Sequence, residues 1–548
     1  MSGPSTEHAG GGLLVEGADA VPGADTLRRQ LVAEDVPRRI LAKDATVWGP
    51  EAESEAAVRL GWLDSPRTSR GLLPRLRELR AELLTEGLDH VVLTGMGGSS
   101  LAPEVITRTL GVELTVLDTT DPGQVRAAIA DRLDRTVVVV SSKSGTTVET
   151  DSHRRAYLRA FQDAGLSDAE AGRRFVVVTD PGSPLEKTAA DMGARAVFRA
   201  DPDVGGRYSA LTAFGLVPSA LAGVDVEVLL DEAEAVLPTL ADDDSPAVVL
   251  GAALGAAARN GRDKLVLAED GTGLVGLGDW IEQLVAESTG KKGTGILPVV
   301  VESPTAAGTD LPDALFVAVG GALLPGGAAG AGRDIGVNGP LGAQFLVWEF
   351  ATALAGRVLG TNPFDQPDVE AAKKAARALL DTAGEDADDP LFADDDIEVY
   401  GPADLLNGVS TVDGALEVVC GLVPDRGYLA VLAWLDRIAD APAATLRDPL
   451  ARRTHRAVTF GWGPRFLHST GQYHKGGSPN GVFLQLTGDP VEDLPVPGRP
   501  YTFGTLQRAQ ALGDAAVLTE RGRPVVRLHL RDRRRGLARL VQLTGARP

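Results

Sequence analysis

The sequence predicts an α/β protein whose mainly parallel sheets form two doubly wound domains behind a helical lead-in. Three observations carry this. Runs such as Thr136–Ser141 (TVVVVS) and Arg174–Asp180 (RFVVVTD) are continuously apolar and β-branched, as strands buried on both faces are. Stretches long enough for helices, such as 151–164, separate them. The chain has 548 residues, several times the usual domain of about 100–150, so more than one core is expected.

Taken in order, the first two dozen residues are Gly-, Ala- and Pro-rich and read as a loose arm. From residue 25 to 84, Arg and Leu recur at helical spacing, completing an N-terminal region over 1–84. Strands are then expected at 90–95, 113–118, 136–141 and 174–180, in a first α/β domain over 85–225. A second series at 264–270, 314–320, 481–488 and 524–530, with helices over 280–288, 344–359 and 367–383, predicts a second domain over 245–535 and a tail over 536–548. The Gly/Ala-rich stretch 325–332 and the acidic run 385–398 read as surface connections.

Composition narrows the function. With 54 basic against 75 acidic residues the net charge is −21, which opposes general affinity for nucleic acid or anionic membranes. The only cysteine, Cys420, excludes an internal disulfide and a cysteine-based zinc cluster. No basic segment followed by an apolar run opens the chain, and no apolar run approaches the ~20 residues of a membrane span. A cytoplasmic protein without a signal peptide is expected. Only nine cations are lysines, and six of these (143, 291, 292, 373, 374, 475) fall in the segments below.

Gly95-Met-Gly-Gly-Ser-Ser100 follows a strand and precedes a helix. It reads as a tight turn or as a ligand contact, since glycines let backbone approach a ligand and a helix N-terminus favours an anion. It half matches the dinucleotide fingerprint, with Asp118 near the ribose-binding position, but Ser100 stands where the third glycine belongs. Ser141-Ser-Lys-Ser-Gly-Thr-Thr147 gathers five hydroxyls before a helix. That suits a phosphate monoester and lacks Walker spacing, and helix capping alone needs one hydroxyl. Val204–Ser209 places Arg207 on a glycine-rich loop.

In Trp280–Lys291, Gln283 and Glu287 share a helix face; Glu287 is either a general base or a solvated partner of Lys291. In Asn362–Lys374, Glu370 accounts for Lys374 by i,i+4 pairing and leaves Lys373 free for another role. Phe466–Gly477 holds two of the seven histidines, His468 and His474, with no third ligand at metal spacing, so acid–base work is preferred to metal binding.

Together these segments resemble the glucose-6-phosphate isomerase (phosphoglucose isomerase) family over roughly residues 90–530, and in particular the isomerase part of bifunctional transaldolase–phosphoglucose isomerase proteins. The resemblance implies two sugar-isomerase (SIS-type) domains and reversible isomerisation of D-glucose 6-phosphate to D-fructose 6-phosphate, without cofactor or metal, in a homodimer whose histidine comes from the neighbouring subunit. Gly98, Ser99, Ser142, Lys143, Ser144, Gly145, Thr146 and Thr147 would bind the sugar phosphate. His468, assisted by Lys373, would open the ring. Glu287 would move the proton between C2 and C1, Arg207 would stabilise the enediolate, and Gln283 would orient substrate hydroxyls. Two features depart from the family: Lys373 precedes His468, and Asp368 stands where a small residue is usual. A non-catalytic phosphosugar-binding regulator, which should lack the base or the histidine, and a nicotinamide-dependent oxidoreductase using the Gly95 turn and Asp118 are the other classes these segments admit.

Overall fold

The computed structural model describes residues 7–323, 333–381 and 389–546, with the side chains of 369–373 and 381 left outside. The 325–332 stretch and the first residues of the acidic run therefore lie outside the described residues. Seventeen strands among the described residues form three sheets. β1 (Glu7–Gly10) and β2 (Leu13–Glu16) come first. β3 (His90–Thr94), β4 (Thr115–Leu117), β5 (Thr136–Ser141), β6 (Phe175–Thr179) and β7 (Ala196–Arg199) form a parallel sheet in the order β4-β3-β5-β6-β7. β8 (Lys264–Glu269), β9 (Leu297–Val300), β10 (Ala314–Gly320) and β11 (Ile335–Asn338) join the N-terminal pair in the order β1-β2-β11-β10-β8-β9. β12 (Phe392–Asp394), β13 (Ile397–Tyr400), β14 (Tyr428–Trp434), β15 (Ala457–Trp462), β16 (Gly481–Gly488) and β17 (Val525–Leu530) form the third, β12-β13-β17-β16-β14-β15.

The continuous apolar runs are buried on both faces, as their composition requires. Val91, Leu93, Val137 and Val139 join a large core with Leu101 and Phe214. Their neighbours Val92, Val138 and Val140 face the opposite way, onto Tyr157 and Phe161 of the helix Val148–Asp163. Tyr428, Ala430 and Leu432 of the third sheet share a core with Val266, Val299 and Phe316 of the second. That common core fixes the C-terminal unit against the middle one.

Three differences from the sequence reading have physical causes. The N-terminal stretch read as a loose arm is a hairpin. Gly11 and Gly12 both have positive φ at its turn, and Leu13 and Val15, fully buried, dock it onto β11. The strands expected in one domain over 245–535 are divided between the second and third sheets, because apolar runs of the same length look alike whichever sheet they join. The end of the acidic run, read as surface connection, enters β12 and β13, where Ile397 and Val399 are fully buried between polar neighbours.

Candidate active site

In the first sheet the chain leaves β3 for β4 on one side and returns to β5 on the other. The loops after β3 and β5 therefore part at the strands' carboxyl ends and leave a crevice. Gly95–Ser100 and Ser141–Thr147 are those loops. Gly97 has a φ of +55°, and a Cβ on Gly98 would sit 1.9 Å from the carbonyl oxygen of Gly206. Only glycine lets this turn lie against the loop carrying Arg207. In the second loop the hydroxyls pair with one another, Ser142 with Thr147 at 2.9 Å and Ser144 with Thr146 at 3.0 Å. The Gly145 N–H donates to the Ser142 hydroxyl at 3.2 Å. Thr147 precedes the helix Val148–Asp163 without a side-chain capping bond, so the positive end of the helix dipole faces this loop.

Facing the two loops, the helix Leu277–Thr289 presents Gln283 and Glu287. Glu287, 6% exposed, lies 3.2 Å from Arg207 Nη1 and receives the Gln283 amide at 3.4 Å. Burial pushes its carboxyl above the ordinary glutamate value, opposed chiefly by the Arg207 charge and then by His468. Arg207 is held by the loop that follows the helix Leu341–Leu359: it donates to the carbonyls of Pro363 (2.7 Å) and Asp365 (2.9 Å) and to the Gln366 side chain (2.9 Å). Lys291 steadies the same loop, donating to Asp365 at 2.6 Å and to the Asn362 carbonyl. Burial, then the Arg207 charge, lower its ammonium to about 7.

His468 enters from the connection between β15 and β16 of the same chain, and its Nε2 is 3.4 Å from Glu149. Glu149 also accepts from Gln510 at 2.7 Å, and Gln510 in turn accepts from Thr120 at 2.9 Å. Both loops, Arg207, Gln283, Glu287, Glu149, His468 and Gln510 converge on one cavity of about 480 Å³, whose lining includes Gly98, Ser99, Ser142, Ser144, Thr146 and Thr147.

Other predicted residues are placed differently. Lys143 reaches the cavity rim but is paired with Asp180 at 2.6 Å. Lys373 lies on the helix Val369–Asp381, with its side chain outside the described residues; Ala376 and Leu380 of that helix line the cavity. Asp368 exchanges hydrogen bonds with Gln472 and pairs with Arg521 at 2.6 Å, which accounts for a carboxylate there. His474 is buried against Tyr428 at 3.0 Å, away from the cavity. Lys475 forms a buried pair with Asp514 at 2.5 Å. Asp118, the ribose-binding candidate, is bound by Arg465 at 2.7 Å and lines no part of this cavity.

Glu149 and Gln510 escaped the sequence reading. Glu149 falls in the first turn after the hydroxyl loop, where an acid has an ordinary explanation, and Gln510 lies far along the chain with no local motif.

Residues 82–306 match the family model described as phosphoglucose isomerase. The chain is 32% identical over 393 residues to the glucose-6-phosphate isomerase of Rubrobacter xylanophilus, spanning 59% of this chain and 90% of that protein. It belongs to the phosphoglucose isomerase family. The glucose-6-phosphate isomerase of Symbiobacterium thermophilum is 31% identical over 398 residues, 60% of this chain and 88% of its own. Among solved structures, a hypothetical protein from Thermus thermophilus superposes with a TM-score of 0.55 at 25% identity, covering 69% of this chain and all of that one. A glucose-6-phosphate isomerase from Chlamydia trachomatis gives 0.53 at 18% identity, covering 69% and 90%, and shares the fold. The reversed order of the Lys373 and His468 segments is accommodated here, because His468 and the helix that carries Lys373 both border the one cavity.

Proposed function

We propose that this member of the family interconverts D-glucose 6-phosphate and D-fructose 6-phosphate through a cis-enediolate. The observation that carries the reading is the placement of buried Glu287 between Gln283 and Arg207, in one cavity with the hydroxyl loop and His468. A phosphate monoester seated on Ser142, Ser144, Thr146, Thr147 and the helix N-terminus leaves the sugar carbons between Glu287 and His468, with the Gly98–Ser99 backbone alongside. His468, with Lys373, moves a proton onto the ring oxygen as the C1–O5 bond breaks; Glu149 orients the imidazole. Glu287 then takes the proton from C2 and returns it to C1, while a hydroxyl proton passes from O2 to O1. Arg207 faces the negative charge of the enediolate, and the Gln283 carbonyl oxygen, which has no donor among the described residues, is placed to accept from a substrate hydroxyl.

A general base contributes about 10²–10⁴-fold. Glu287→Gln should therefore lower isomerase activity by at least that range's lower end without changing the fold, and a loss under about tenfold would overturn the assignment. The rest of the reading is that three α/β units, one per sheet, build each subunit, and that the protein works in the cytoplasm as a homodimer. Family resemblance supports the dimer, and among the described residues no helix is long and apolar enough to cross a membrane. Because His468 and Glu287 meet within one chain, a dimer interface would border the site without having to supply its histidine; light scattering measures the state directly.

A further inference from the structure

Glu287 and His468 reach the cavity from different parts of the fold, Glu287 from the helix Leu277–Thr289 that follows β8 and His468 from the connection between β15 and β16. An acid and a base that serve one substrate must keep one geometry, and a displacement of about 1 Å can cost about a hundredfold in rate. Yet the His468 side chain does little to fix itself. Among the described residues its imidazole makes one hydrogen bond, the 3.4 Å contact with Glu149, which is long for such a bond. Its position must therefore come from its backbone.

The helix that carries the base holds that backbone. His468 ends the single turn Arg465–His468, and the residues at either end of this turn bind carboxylates of the helix Leu277–Thr289. Arg465 lies 3.4 Å from Asp279, and it also binds Glu104 and, at 2.7 Å, Asp118 beside the first sheet. Ser469, 2% exposed, donates its hydroxyl to Glu282 Oε1 at 2.9 Å. Asp279 and Glu282 are three residues apart and so neighbours on the helix surface. Neither lines the cavity, whereas Gln283 and Glu287 do. Gly97 lies against the same backbone: a Cβ there would come within 3.1 Å of the Cβ and the carbonyl oxygen of His468. Burial, then the Asp279 charge, push the Glu282 carboxyl up to about 8. Near neutral pH it is mainly the neutral acid, whose shape and acceptor oxygen glutamine reproduces.

We propose that Glu282 is a positioning residue for the isomerisation: through Ser469 it sets where His468 stands relative to Glu287. The proposal rests on the roles given above to His468 and Glu287. Glu282 itself meets no substrate; it acts by holding the acid in register with the base carried on its own helix.

The test removes each side of the bond in the full chain. Ser469→Ala takes away the hydroxyl, and Glu282→Leu the acceptor, with a side chain of similar size. Each should lower kcat on glucose 6-phosphate about ten- to a hundredfold, with KM and the melting temperature retained. The double variant should be no slower than the slower single one, as expected of two residues that act through one bond. Glu282→Gln, which still accepts the hydroxyl, should keep most of the parent's kcat. A second reading needs no turnover: the carbon-13 signal of His468 Cε1 in histidine-labelled protein, assigned by its loss in His468→Gln. Glu149→Gln should shift this signal in the parent and in Glu282→Gln, and shift it clearly less in Glu282→Leu and Ser469→Ala. An unchanged kcat in either single variant, additive losses in the double, or a lowered melting temperature with kcat kept overturns the proposal. So does a His468 signal that responds to Glu149→Gln equally in every background, or not at all in the parent. A parent that does not interconvert glucose 6-phosphate overturns the proposed reaction instead, and the histidine signal still decides the positioning.

Discussion

Replacing Arg207 by glutamine should move the acid limb of the pH–rate profile upward. Glu287 accepts a proton only when ionised, and burial already holds its pKa above the ordinary glutamate range, with Arg207 the largest opposing influence. Two unit charges at the observed 3.2 Å attract by about 5 kcal/mol at an effective dielectric of ~20 and by about 1.3 kcal/mol at that of water. Even the smaller figure corresponds to about one pH unit. Removing the cation raises the Glu287 pKa further, so kcat/KM falls off at a pH at least about one unit higher than in the parent. The assay is fructose 6-phosphate conversion coupled to oxidation of the glucose 6-phosphate formed, across the acid-to-neutral range. Arg207→Lys keeps the charge but not the fork that serves Pro363, Asp365 and Gln366; it should restore much of the limb's position without the full rate. A limb that stays within about 0.3 units of the parent in Arg207→Gln, while the rate drops, would show that Glu287 is not the titrating base.

Three further outcomes can be checked independently. Thr147→Val removes one donor to the substrate phosphate; a bond to a charged group is about 1.5–3 kcal/mol, so KM should rise about ten- to a hundredfold with kcat nearly unchanged, and an unmoved KM contradicts the phosphate cradle. Glu149→Gln leaves His468 without its carboxylate and should lower kcat on glucose 6-phosphate by about 10²-fold with the melting temperature intact; the reverse pattern would make Glu149 merely structural. Glu349 is 1% exposed, its Oε1 has no hydrogen-bond partner among the described residues, and burial alone holds its pKa well above the usual value. The folded state thus retains a proton the unfolded chain gives up. This favourable state is fully present below about pH 4.3 and stability erodes as pH rises above it. Glu349→Gln should therefore melt higher than the parent at about pH 8, with the gap closing toward pH ~4; an equal gap at both values refutes it.

The strands around the site were legible because a run such as TVVVVS has no polar alternation, and the crevice follows once two such strands end in glycine- and hydroxyl-rich loops. The bases and cations stood out through motif spacing: Gln283 and Glu287 share a face simply by being four residues apart. Sheet membership was not legible. Nothing in the apolar run of β14 distinguishes a strand of a third sheet from one of the second, since the difference lies in what packs upon Tyr428 and Leu432 from far along the chain. The same holds for Gln510, whose meaning depends on Glu149, and for Asp118, whose acidic side chain suited a ribose until Arg465 claimed it. Lysine scarcity drew attention to Lys143, Lys475 and Lys291, and all three are occupied by carboxylates.

Gln510 bonded to Glu149 has a consequence for how the enzyme is made. During synthesis the first sheet leaves the ribosome early with both the Gly95–Ser100 and Ser141–Thr147 loops, and the helix carrying Glu287 follows. His468 and Gln510 emerge only with the third sheet. A chain ending before residue 510 lacks the Gln510 bond to Glu149, the carboxylate beside His468. The pairing of His468 with a supported Glu149 is thus complete only once synthesis has run through the C-terminal unit.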